Sequence, residues 1–492
     1  MASNKDVDIA IVGGGSSAFA AALEAAGSGL SILLINHGTI GGTCVNVGCV
    51  PSKMQIHVAS LVDQANHTSN IAGITKSSEN NTPPLFQLEQ WRVAQNNLVE
   101  QLRTSKYLDV IRDYPNIAVV SGRARFLSEH QIAVVESEKQ SYFVNFKKAI
   151  IATGSSPHIP SNIIGLSQTP YWTSTEALMA TKLPQHLVVI GGSYIALELG
   201  QSYRRLGSKV TIIARSTLLS REDPLISPTM CEFLKQEGIA VELHCLVERV
   251  SYNKGQFELE LADKRHLSGD HLLVASGRKA NVEDMGLDHI SIKMDENKNI
   301  VVNEYLQTSC SDIYAVGDCT NIPKYVYVAA ASGTKAARNI VASFKSQQDC
   351  QVKCCSSTPL YPLDISIVPG VVFTDPQVAT VGMTEQQAKY AGIDTDSRVF
   401  HFCHLPRAIV NFDERGWIKL VIDKQSLLLV GATIVAPCGG EMIQTVAIAM
   451  RCKMTVKQLA EDLFPYLTFV EAVKLCAQMF FKDVSKLSCC AG

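Results

Sequence analysis

Hydrophobic and polar positions near the start of the chain follow a pattern that predicts a strand, a tight turn and a helix. Residues 7–12 form an apolar run, glycines follow at once, and an alanine-rich stretch leads to a second apolar run at residues 31–35. The same order recurs at residues 186–214. Because strands joined through a helix in this way pair in parallel, the pattern predicts an α/β protein with two nucleotide-binding domains.

Two polar segments divide the rest of the chain. Residues 64–85 and 345–362 contain few large apolar side chains and are predicted to be a solvated excursion and a connector. Beyond the second segment, three apolar runs and one helical pattern occur at residues 370–373, 417–422, 428–434 and 441–449. This order predicts a third domain of the α+β type.

Composition and charge narrow the function classes. The 492 residues are 46% hydrophobic and carry a formal charge of -2, without long runs of one sign. This balance excludes an electrostatic surface for nucleic acid or an anionic membrane, and it favours small or neutral partners. The N-terminus lacks the pattern of a secretion signal and no apolar run is long enough to cross a bilayer, so we expect a cytoplasmic protein.

The chain has 15 cysteines, which in such a protein are better interpreted as thiols, redox groups or metal ligands than as structural bridges. A buried cysteine behaves as a small hydrophobic residue. We give that interpretation to five cysteines that lie singly in apolar or mixed segments, namely Cys231, Cys245, Cys403, Cys452 and Cys476.

The first glycine-rich turn has the spacing of a dinucleotide site. Gly13 permits the tight turn, Gly15 permits close approach of a pyrophosphate, and the small Ala18 lets the helix pack on the strand. The acid that usually holds a ribose about 20 residues later is absent, and Asn36 ends the second strand instead. An asparagine amide can still hydrogen-bond a diol, so the turn remains a candidate site.

The second turn has Gly191, Ser193 and Ala196 at the corresponding positions. Its following strand ends in Arg215, where an NAD site would have a carboxylate, and Arg221 lies six residues further on. An arginine fork suits the 2′-phosphate of NADP, although two surface arginines after a strand would look the same. The paired architecture favours NADPH at this site.

Cys44 and Cys49 form the most informative pair in the chain. On a regular helix, residues five apart have Cα atoms roughly 8.6 Å from one another, beyond the limit of about 7 Å for a disulfide. A bridge therefore needs a distorted turn, which Gly48 permits, and Pro51 suits the first turn of a helix that starts again. Lys53 would then lie near the pair, where a cation favours a thiolate.

A structural site or a metal pair is the alternative interpretation of these cysteines. Zinc would need two further ligands, and the neighbouring sequence does not supply them. The pattern favours a redox role.

The segment GGTCVNVGCVPSK at residues 41–53 resembles the active-site segment of the FAD-dependent pyridine nucleotide-disulfide oxidoreductases. The resemblance covers nearly the whole chain and implies that FAD contacts Thr43 and Lys53 within this segment. Further cofactor contacts are implied at a turn between domains, at a second FAD motif and at a return turn, which contain Ala152, Thr153, Gly154, Asp318 and Arg278.

The resemblance also implies a domain order and two catalytic side chains beside the cofactors. A Rossmann-like FAD domain would occupy residues 1–155 and 281–362, the second part including the connector. A Rossmann-like NADPH domain would occupy residues 156–280, and a C-terminal α+β dimerisation domain would occupy residues 363–492. Glu198 would pair with Lys53 beside the flavin, and Tyr194 would cover the nicotinamide pocket.

The acceptor is indicated by the C-terminus, where one subunit of a family homodimer completes the active site of the other. Disulfide-reducing members have a histidine that protonates the leaving thiolate, and the corresponding residue here is Tyr466. The chain ends Cys489-Cys490-Ala491-Gly492, which resembles the end of members that reduce mercuric ion. A disulfide between adjacent cysteines is strained, so free thiols that capture a soft metal are favoured.

The expectation is an NADPH- and FAD-dependent homodimer that reduces Hg(II) presented as thiol complexes. Cys489 and Cys490 of one subunit would deliver the ion to Cys44 and Cys49 of the other, near Tyr194 and Tyr466. We expect no cysteine-containing metal-binding domain before the first strand. The alternatives are a large-type thioredoxin reductase or another disulfide reductase of the family, and a mercury-binding sequestration protein without turnover.

Overall fold

The computed structural model describes residues 4–67, 86–137, 140–349 and 360–483. Its strands are β1 (Asn4–Val12), β2 (Ile32–Asn36), β3 (Ile117–Ser121), β4 (Arg123–Ser128), β5 (Gln131–Ser137), β6 (Gln140–Ile151), β7 (Ser155–Pro157), β8 (His186–Ile190), β9 (Lys209–Ile213), β10 (Ala240–Glu242), β11 (Val247–Asn253), β12 (Gln256–Leu261), β13 (His266–Gly269), β14 (His271–Val274), β15 (Arg278–Ala280), β16 (Ile313–Ala315), β17 (Gly370–Val372), β18 (Gln377–Gly382), β19 (Thr395–His401), β20 (Trp417–Asp423) and β21 (Leu429–Ala436). Its α-helices are α1 (Ser16–Ala26), α2 (Gly42–Val47), α3 (Cys49–His67), α4 (Leu88–Arg103), α5 (Asp109–Arg112), α6 (Ser174–Met179), α7 (Tyr194–Arg205), α8 (Ile226–Gln236), α9 (Val326–Asp349), α10 (Glu385–Tyr390), α11 (Pro406–Val410), α12 (Gly439–Arg451), α13 (Val456–Glu461) and α14 (Glu471–Gln478).

The chain forms two compact units, and the first is built from Met1–Met54, Leu88–His158 and Gly277–Ile365. Its main sheet has the order β3-β2-β1-β6-β5-β4, with β16 paired to β6. Strand β1 runs parallel to β2 and β6, and consecutive β1 residues from Ile9 to Val12 are all buried. Burial on both faces is typical of a parallel strand covered by helices on each side.

Helices α1 and α9 pack closely in this first unit. A side chain at Gly333 would place its Cβ 2.1 Å from the carbonyl oxygen of Ser17. The contact therefore needs glycine on α9 and small residues on α1, and it fixes the N-terminal end of α1 beside the strands that carry the glycine-rich turn.

The second unit contains Gln55–Gln87, Ile159–Ser276 and Ser366–Gly492. One parallel sheet has the order β10-β9-β8-β14, and β11-β12-β13 form an antiparallel sheet. A separate antiparallel sheet has the order β17-β18-β21-β20-β19. Helices α12, α13 and α14 contribute apolar residues to the core of that sheet.

The α/β class, the parallel pairing of β1 with β2 and of β8 with β9, and the C-terminal α+β region are confirmed, while β5 runs antiparallel to β4 and β6 within the first sheet. The predicted polar segments were too long, because helix α3 continues to His67 and helix α9 to Asp349. The domain boundaries given above stay predictions. Among the helices within the described residues, none combines the length and apolar character needed to span a bilayer.

Candidate active site

The first glycine-rich turn is shaped for a ligand that approaches the backbone closely. Gly13 has φ +136, and a Cβ there would lie 2.2 Å from the carbonyl oxygen of Ala152. The amide of Gly41 donates to the carbonyl of Gly14 over 2.8 Å. A Cβ at Gly42 would lie 2.7 Å from the Cα of Gly15. Only glycine fits these positions, so the segment that carries the cysteines covers the turn directly.

The amino end of α1 fits the pyrophosphate of FAD. Gly15 caps the helix without a side-chain hydrogen bond, and the first turn contains no acidic residue. Its backbone amides and the positive end of the helix dipole are therefore suited to an anion. Asn36 is buried at the end of β2, and its Nδ2 donates to the carbonyl of Gly38 over 2.6 Å. That hydrogen bond holds the amide at the position where a ribose acid is usual.

The turn Ala152-Thr153-Gly154 is held by Asn281, a residue that the sequence did not indicate. Asn281 Nδ2 donates to the carbonyl of Thr153 over 2.9 Å, and the Thr153 hydroxyl donates to the carbonyl of Asn281 over 2.7 Å. The amide of Asn281 also donates to the carbonyl of Gly154. These reciprocal bonds fix the turn next to the first glycine-rich turn.

A short polar chain connects two predicted FAD residues. The hydroxyl of Ser155 donates to Asp318 Oδ2 over 2.9 Å, and Arg278 Nε donates to the same hydroxyl over 2.8 Å. Burial lowers the pKa of Arg278, and the negative charges of Asp318 and Cys49 act in the opposite direction. Asp318, Arg278 and Cys49 thus belong to one electrostatic neighbourhood, which was not apparent from their spacing.

The cysteine pair spans the expected break between two helices. Helix α2 ends before Gly48, whose φ of -131 and ψ of -116 are not helical, and α3 begins at Cys49. A Cβ at Gly48 would lie 2.7 Å from the carbonyl oxygen of Thr43. Glycine therefore lets the chain turn tightly enough for the two cysteine side chains to meet.

The reduced pair shares a proton unequally. Cys44 and Cys49 are free thiols in the structure, the first partly buried and the second exposed. The hydrogen bond with Cys49, then burial and then the charge of Cys49 raise the pKa of Cys44 well above the usual range, while the charge of Lys53 acts against this. Cys44 therefore keeps its proton, and the negative charge of the pair lies on Cys49.

Asn46 ties the cysteine segment to itself and to α4. Its Nδ2 donates to the carbonyls of Ile40 and Gly42 over 2.9 and 2.8 Å. Its Oδ1 accepts a hydrogen bond from Arg103 Nη1 over 3.0 Å. Asn46, which lies between the two cysteines, thereby fixes the position of α2. The spacing of the cysteine motif does not reveal this role.

The second glycine-rich turn repeats the backbone of the first. Gly191 has φ +141, and a Cβ there would lie 2.3 Å from the carbonyl oxygen of Ala275. Ser193 caps α7 without a side-chain hydrogen bond, and Ala196 is fully buried against the turn. The free amino end of α7 is again suited to a phosphate.

The loop after β9 lies over this second turn and carries both predicted NADPH arginines. Arg215 and Arg221 are exposed. The amide of Leu219 donates to the carbonyl of Gly192 over 2.8 Å. Further along, the buried Asp223 accepts a hydrogen bond from the buried Lys419 Nζ over 2.9 Å. The loop is thus anchored at two points while its guanidinium groups reach solvent.

Helix α7 presents the two predicted catalytic side chains of the second unit. The hydroxyl of Tyr194 donates to Glu222 Oε1 over 2.6 Å. Glu198 is buried, and its Oε1 accepts from the amide of Phe373 over 2.9 Å. The pairing of Glu198 with Lys53 stays a prediction.

Tyr466 lies in the segment before α14, and its side chain is 46% exposed. Its neighbour Leu467 has φ +59. Burial raises the pKa of Glu471, against a hydrogen bond with the backbone of Leu467. Glu471 therefore holds this turn.

The predicted delivery residues Cys489 and Cys490 lie outside the described residues. Within the described ranges, no group of three or more histidine, cysteine, aspartate or glutamate side chains is arranged to hold a metal ion.

Comparison with protein families matches almost the whole chain. Residues 7–333 match the model for "Pyridine nucleotide-disulphide oxidoreductase". Residues 368–477 match the model for "Pyridine nucleotide-disulphide oxidoreductase, dimerisation domain".

Curated relatives and solved structures agree with these matches. The chain is 46% identical to the mercuric reductase of Shewanella putrefaciens, over 100% of this chain and 84% of that protein. It is 38% identical to the mercuric reductase of Streptomyces lividans, over 99% of this chain and 98% of that protein. A Cu(II) complex of the HOCl-induced flavoprotein disulfide reductase RclA from Escherichia coli superimposes with a TM-score of 0.82 at 27% identity, covering 96% of this chain and 99% of that one.

Proposed function

The chain belongs to the pyridine nucleotide-disulphide oxidoreductase family, and from that premise we propose that it reduces Hg(II) to Hg(0) with electrons from NADPH. It is an oxidoreductase that uses FAD and NAD(P)H. The observation that carries the proposal is the similarity over the full chain to relatives named mercuric reductase. The thiol pair and Tyr466 support it from the chemistry of the site.

Residues of both glycine-rich turns would hold the cofactors. FAD fits the turn at Gly13 and Gly15, with Asn36 toward its ribose and Asp318 toward its ribityl chain. NADPH fits the turn at Gly191, with Arg215 and Arg221 toward the 2′-phosphate. When bound, FAD would supply two-electron transfer from NADPH to the cysteine pair or to the metal ion that the pair holds.

The two cysteines take up Hg(II) by ligand exchange. The Cys49 thiolate attacks Hg(II) held by two small thiolates and displaces one of them. Cys44 then binds the ion, and its proton leaves with the departing thiolates, so that the ion is held by two protein sulfurs and charge is conserved. Addition of two electrons reduces Hg(II) to Hg(0) and leaves both cysteine sulfurs reduced.

Tyr466 favours a metal over an organic disulfide as the acceptor. Cleavage of a disulfide releases a thiolate that must be protonated, and a histidine does this well because its pKa is near neutrality. A free tyrosine titrates near pH 10 and is a poor proton donor at neutral pH. In mercury exchange, the proton held by Cys44 serves the departing ligand, so a histidine is not needed.

The substrate would reach the pair through the C-terminal tail. Cys489 and Cys490 of the partner subunit are proposed to take Hg(II) from external thiols and pass it to Cys44 and Cys49. This requires a homodimer with shared active sites, for which the dimerisation-domain match at residues 368–477 is the support. A cytoplasmic location stays a prediction.

A comparison of acceptors tests the proposed function. NADPH oxidation by the flavin-loaded dimer is measured with Hg(II)-thiol complexes, glutathione disulfide, lipoamide, thioredoxin and Cu(II). We expect rapid turnover with Hg(II) alone. Faster turnover with thioredoxin or glutathione disulfide would replace the proposal with a disulfide reductase, and binding of Hg(II) without NADPH oxidation would indicate sequestration.

A tail variant tests the delivery step. Replacing both Cys489 and Cys490 by alanine should leave reduction of the flavin by NADPH intact and slow turnover with bulky Hg(II)-thiol complexes more than with small ones. Cys452→Ala is the matched control and should behave as wild type. The structure shows Cys452 and Cys403 exposed, so the buried interpretation given to these two cysteines from the sequence was wrong. Wild-type rates with bulky complexes in the tail variant would refute delivery.

Mixed dimers test whether the active sites are shared. A subunit with the tail substitutions is paired with a subunit that carries Cys44→Ser and Cys49→Ser. One composite site keeps an intact tail and an intact inner pair only if the tail crosses to the partner. Partial activity is therefore expected, and a wholly inactive mixed dimer would place the tail and the pair in the same subunit.

A further inference from the structure

Three consecutive charged residues in the loop over the second turn make different contacts. Arg221 is exposed, Glu222 is half-buried, and Asp223 is buried. Glu222 Oε1 accepts the hydrogen bond of the Tyr194 hydroxyl over 2.6 Å. The residue proposed to bind the 2′-phosphate is therefore covalently adjacent to the residue that holds the proposed active-site tyrosine.

The two ends of this short segment are fixed. On one side, the amide of Leu219 donates to the carbonyl of Gly192 over 2.8 Å, and the amide of Glu222 donates to the carbonyl of Leu219 over 2.9 Å. On the other side, Asp223 and Lys419 form an ion pair in which both side chains are buried. Breaking a buried ion pair is costly, so the segment cannot respond to a ligand by moving as a whole.

Movement within the segment is instead restricted to its side chains. Arg221 is exposed and can turn toward a phosphate by rotation of its own side chain, next to the adjacent residue Glu222. A 2′-phosphate bound there has the same sign of charge as the Glu222 carboxylate and repels it. This repulsion acts on the hydrogen bond between Glu222 and Tyr194.

We propose that Glu222 is a positioning residue that holds Tyr194 and makes the orientation of its ring depend on occupancy of the 2′-phosphate site at Arg221. The inference rests on the proposed function for the assignment of Arg221 to NADPH. It adds a residue outside both the glycine-rich motif and the cysteine segment. The hydrogen bond of 2.6 Å to a carboxylate has the short length of a charge-assisted bond, which is strong enough to fix a phenol ring.

The test uses fluorine NMR of the flavin-loaded protein labelled with 3-fluorotyrosine. The Tyr194 resonance is assigned as the one lost in Tyr194→Phe. The probe is adenosine 2′,5′-bisphosphate, which occupies the phosphate site but has no nicotinamide to touch the ring. Adenosine 5′-monophosphate, which lacks the 2′-phosphate, is the matched ligand control.

In wild type, the bisphosphate should shift the Tyr194 resonance and the monophosphate should not. Glu222→Ala should move the resonance in the ligand-free protein and abolish its response to the bisphosphate. Glu222→Gln keeps an oxygen acceptor and should restore part of the ligand-free position. Glu232→Gln, on the exposed face of α8, is the control and should respond as wild type.

Several outcomes would overturn the proposal, and none of the experiments that give them uses mercury. An unchanged ligand-free resonance in Glu222→Ala would remove the positioning role. An equal bisphosphate shift in wild type and Glu222→Ala would remove the coupling while leaving the nucleotide assignment standing. Failure of wild type to bind the bisphosphate, or unaltered affinity in Arg221→Gln, would instead refute the phosphate assignment and the coupling together.

Discussion

The two glycine-rich turns have nearly the same backbone but different surroundings. Gly13 and Gly191 have φ values of +136 and +141, and each places its missing Cβ against a carbonyl oxygen of the neighbouring strand end. The first turn is covered by the segment that carries the cysteines, through the contact between Gly42 and Gly15. The second is covered by a loop whose arginines are exposed.

This difference explains how one kind of turn can serve two kinds of ligand. At the first turn, the redox segment lies directly against the site through the contact between Gly42 and Gly15, which suits a cofactor that stays bound. At the second turn, the exposed guanidinium groups offer charge to a nucleotide that must bind and leave in each turnover. Ligand binding is therefore expected to depend mainly on packing at the first turn and mainly on electrostatics at the second.

The largest expected effect comes from placing the same side chain in both turns. Gly13→Ala and Gly191→Ala each introduce a positive-φ strain and a clash, on the order of 2 to 5 kcal/mol. Gly13→Ala should abolish FAD retention, measured by the flavin content of the purified protein. Gly191→Ala should keep the flavin and lose NADPH binding, measured by calorimetry.

Gly27→Ala is the matched control, because a Cβ there would meet nothing within 4 Å. It should retain both cofactors. Loss of flavin in Gly191→Ala but not in Gly13→Ala would reverse the assignment of the two turns.

The next effect separates the two thiols beside the first turn. A raised pKa keeps Cys44 protonated as pH rises through the ordinary titration range of thiols, so its alkylation by iodoacetamide should stay slow there. Each unit by which a pKa is raised lowers the thiolate fraction about tenfold below that pKa, so Cys49 should react at least about tenfold faster than Cys44. Mass spectrometry of the reduced protein measures both rates, and faster labelling of Cys44 would contradict the assignment of charge.

Charge removal at the second turn should have a smaller effect. Arg215→Gln with Arg221→Gln should reduce the preference for NADPH over NADH by roughly tenfold to a hundredfold, because charge-assisted hydrogen bonds to the 2′-phosphate are lost. The kcat/KM values for the two nucleotides measure the preference, and flavin content should not change. An unchanged ratio would remove the 2′-phosphate role of both arginines.

The smallest effect is expected at the turn held by Asn281. Asn281→Ala removes two side-chain hydrogen bonds, one to the carbonyl of Thr153 and one from the hydroxyl of Ser156, each worth about 1 kcal/mol. It should weaken FAD binding severalfold without altering the KM for NADPH. Asn253→Ala, at an exposed hairpin position, is the control. A change in the KM for NADPH with normal FAD affinity would show that Asn281 does not belong to the FAD site.

The sequence predicted the features that are determined by residues close to one another along the chain. The strand-turn-helix pattern located both glycine-rich turns, and Gly48 indicated the helix break between Cys44 and Cys49, because backbone conformation there follows from local residue type. Asn281 and Ser155 were missed since their partners lie far away in the chain. Glu222 was missed for the same reason, since a carboxylate in a loop has no pattern that reveals a tyrosine 28 residues earlier.

The polar segments show a second limit of the sequence. Residues 64–67 and 345–349 were predicted as an excursion and a connector, yet they continue α3 and α9. Helix propagation adds a hydrogen bond for each residue, so a polar end can extend a helix whose apolar face is already packed. Composition alone does not indicate where such an extension stops.

The central claim, that electrons from NADPH end on mercury, is tested most directly by measuring both at once. Volatile Hg(0) is trapped from an anaerobic reaction of the flavin-loaded protein with NADPH and an Hg(II)-thiol complex, while NADPH consumption is followed by absorbance. The account predicts equal amounts of Hg(0) released and NADPH oxidised, and no Hg(0) from Cys49→Ser. NADPH oxidation without release of Hg(0), or Hg(0) release that persists in Cys49→Ser, would contradict it.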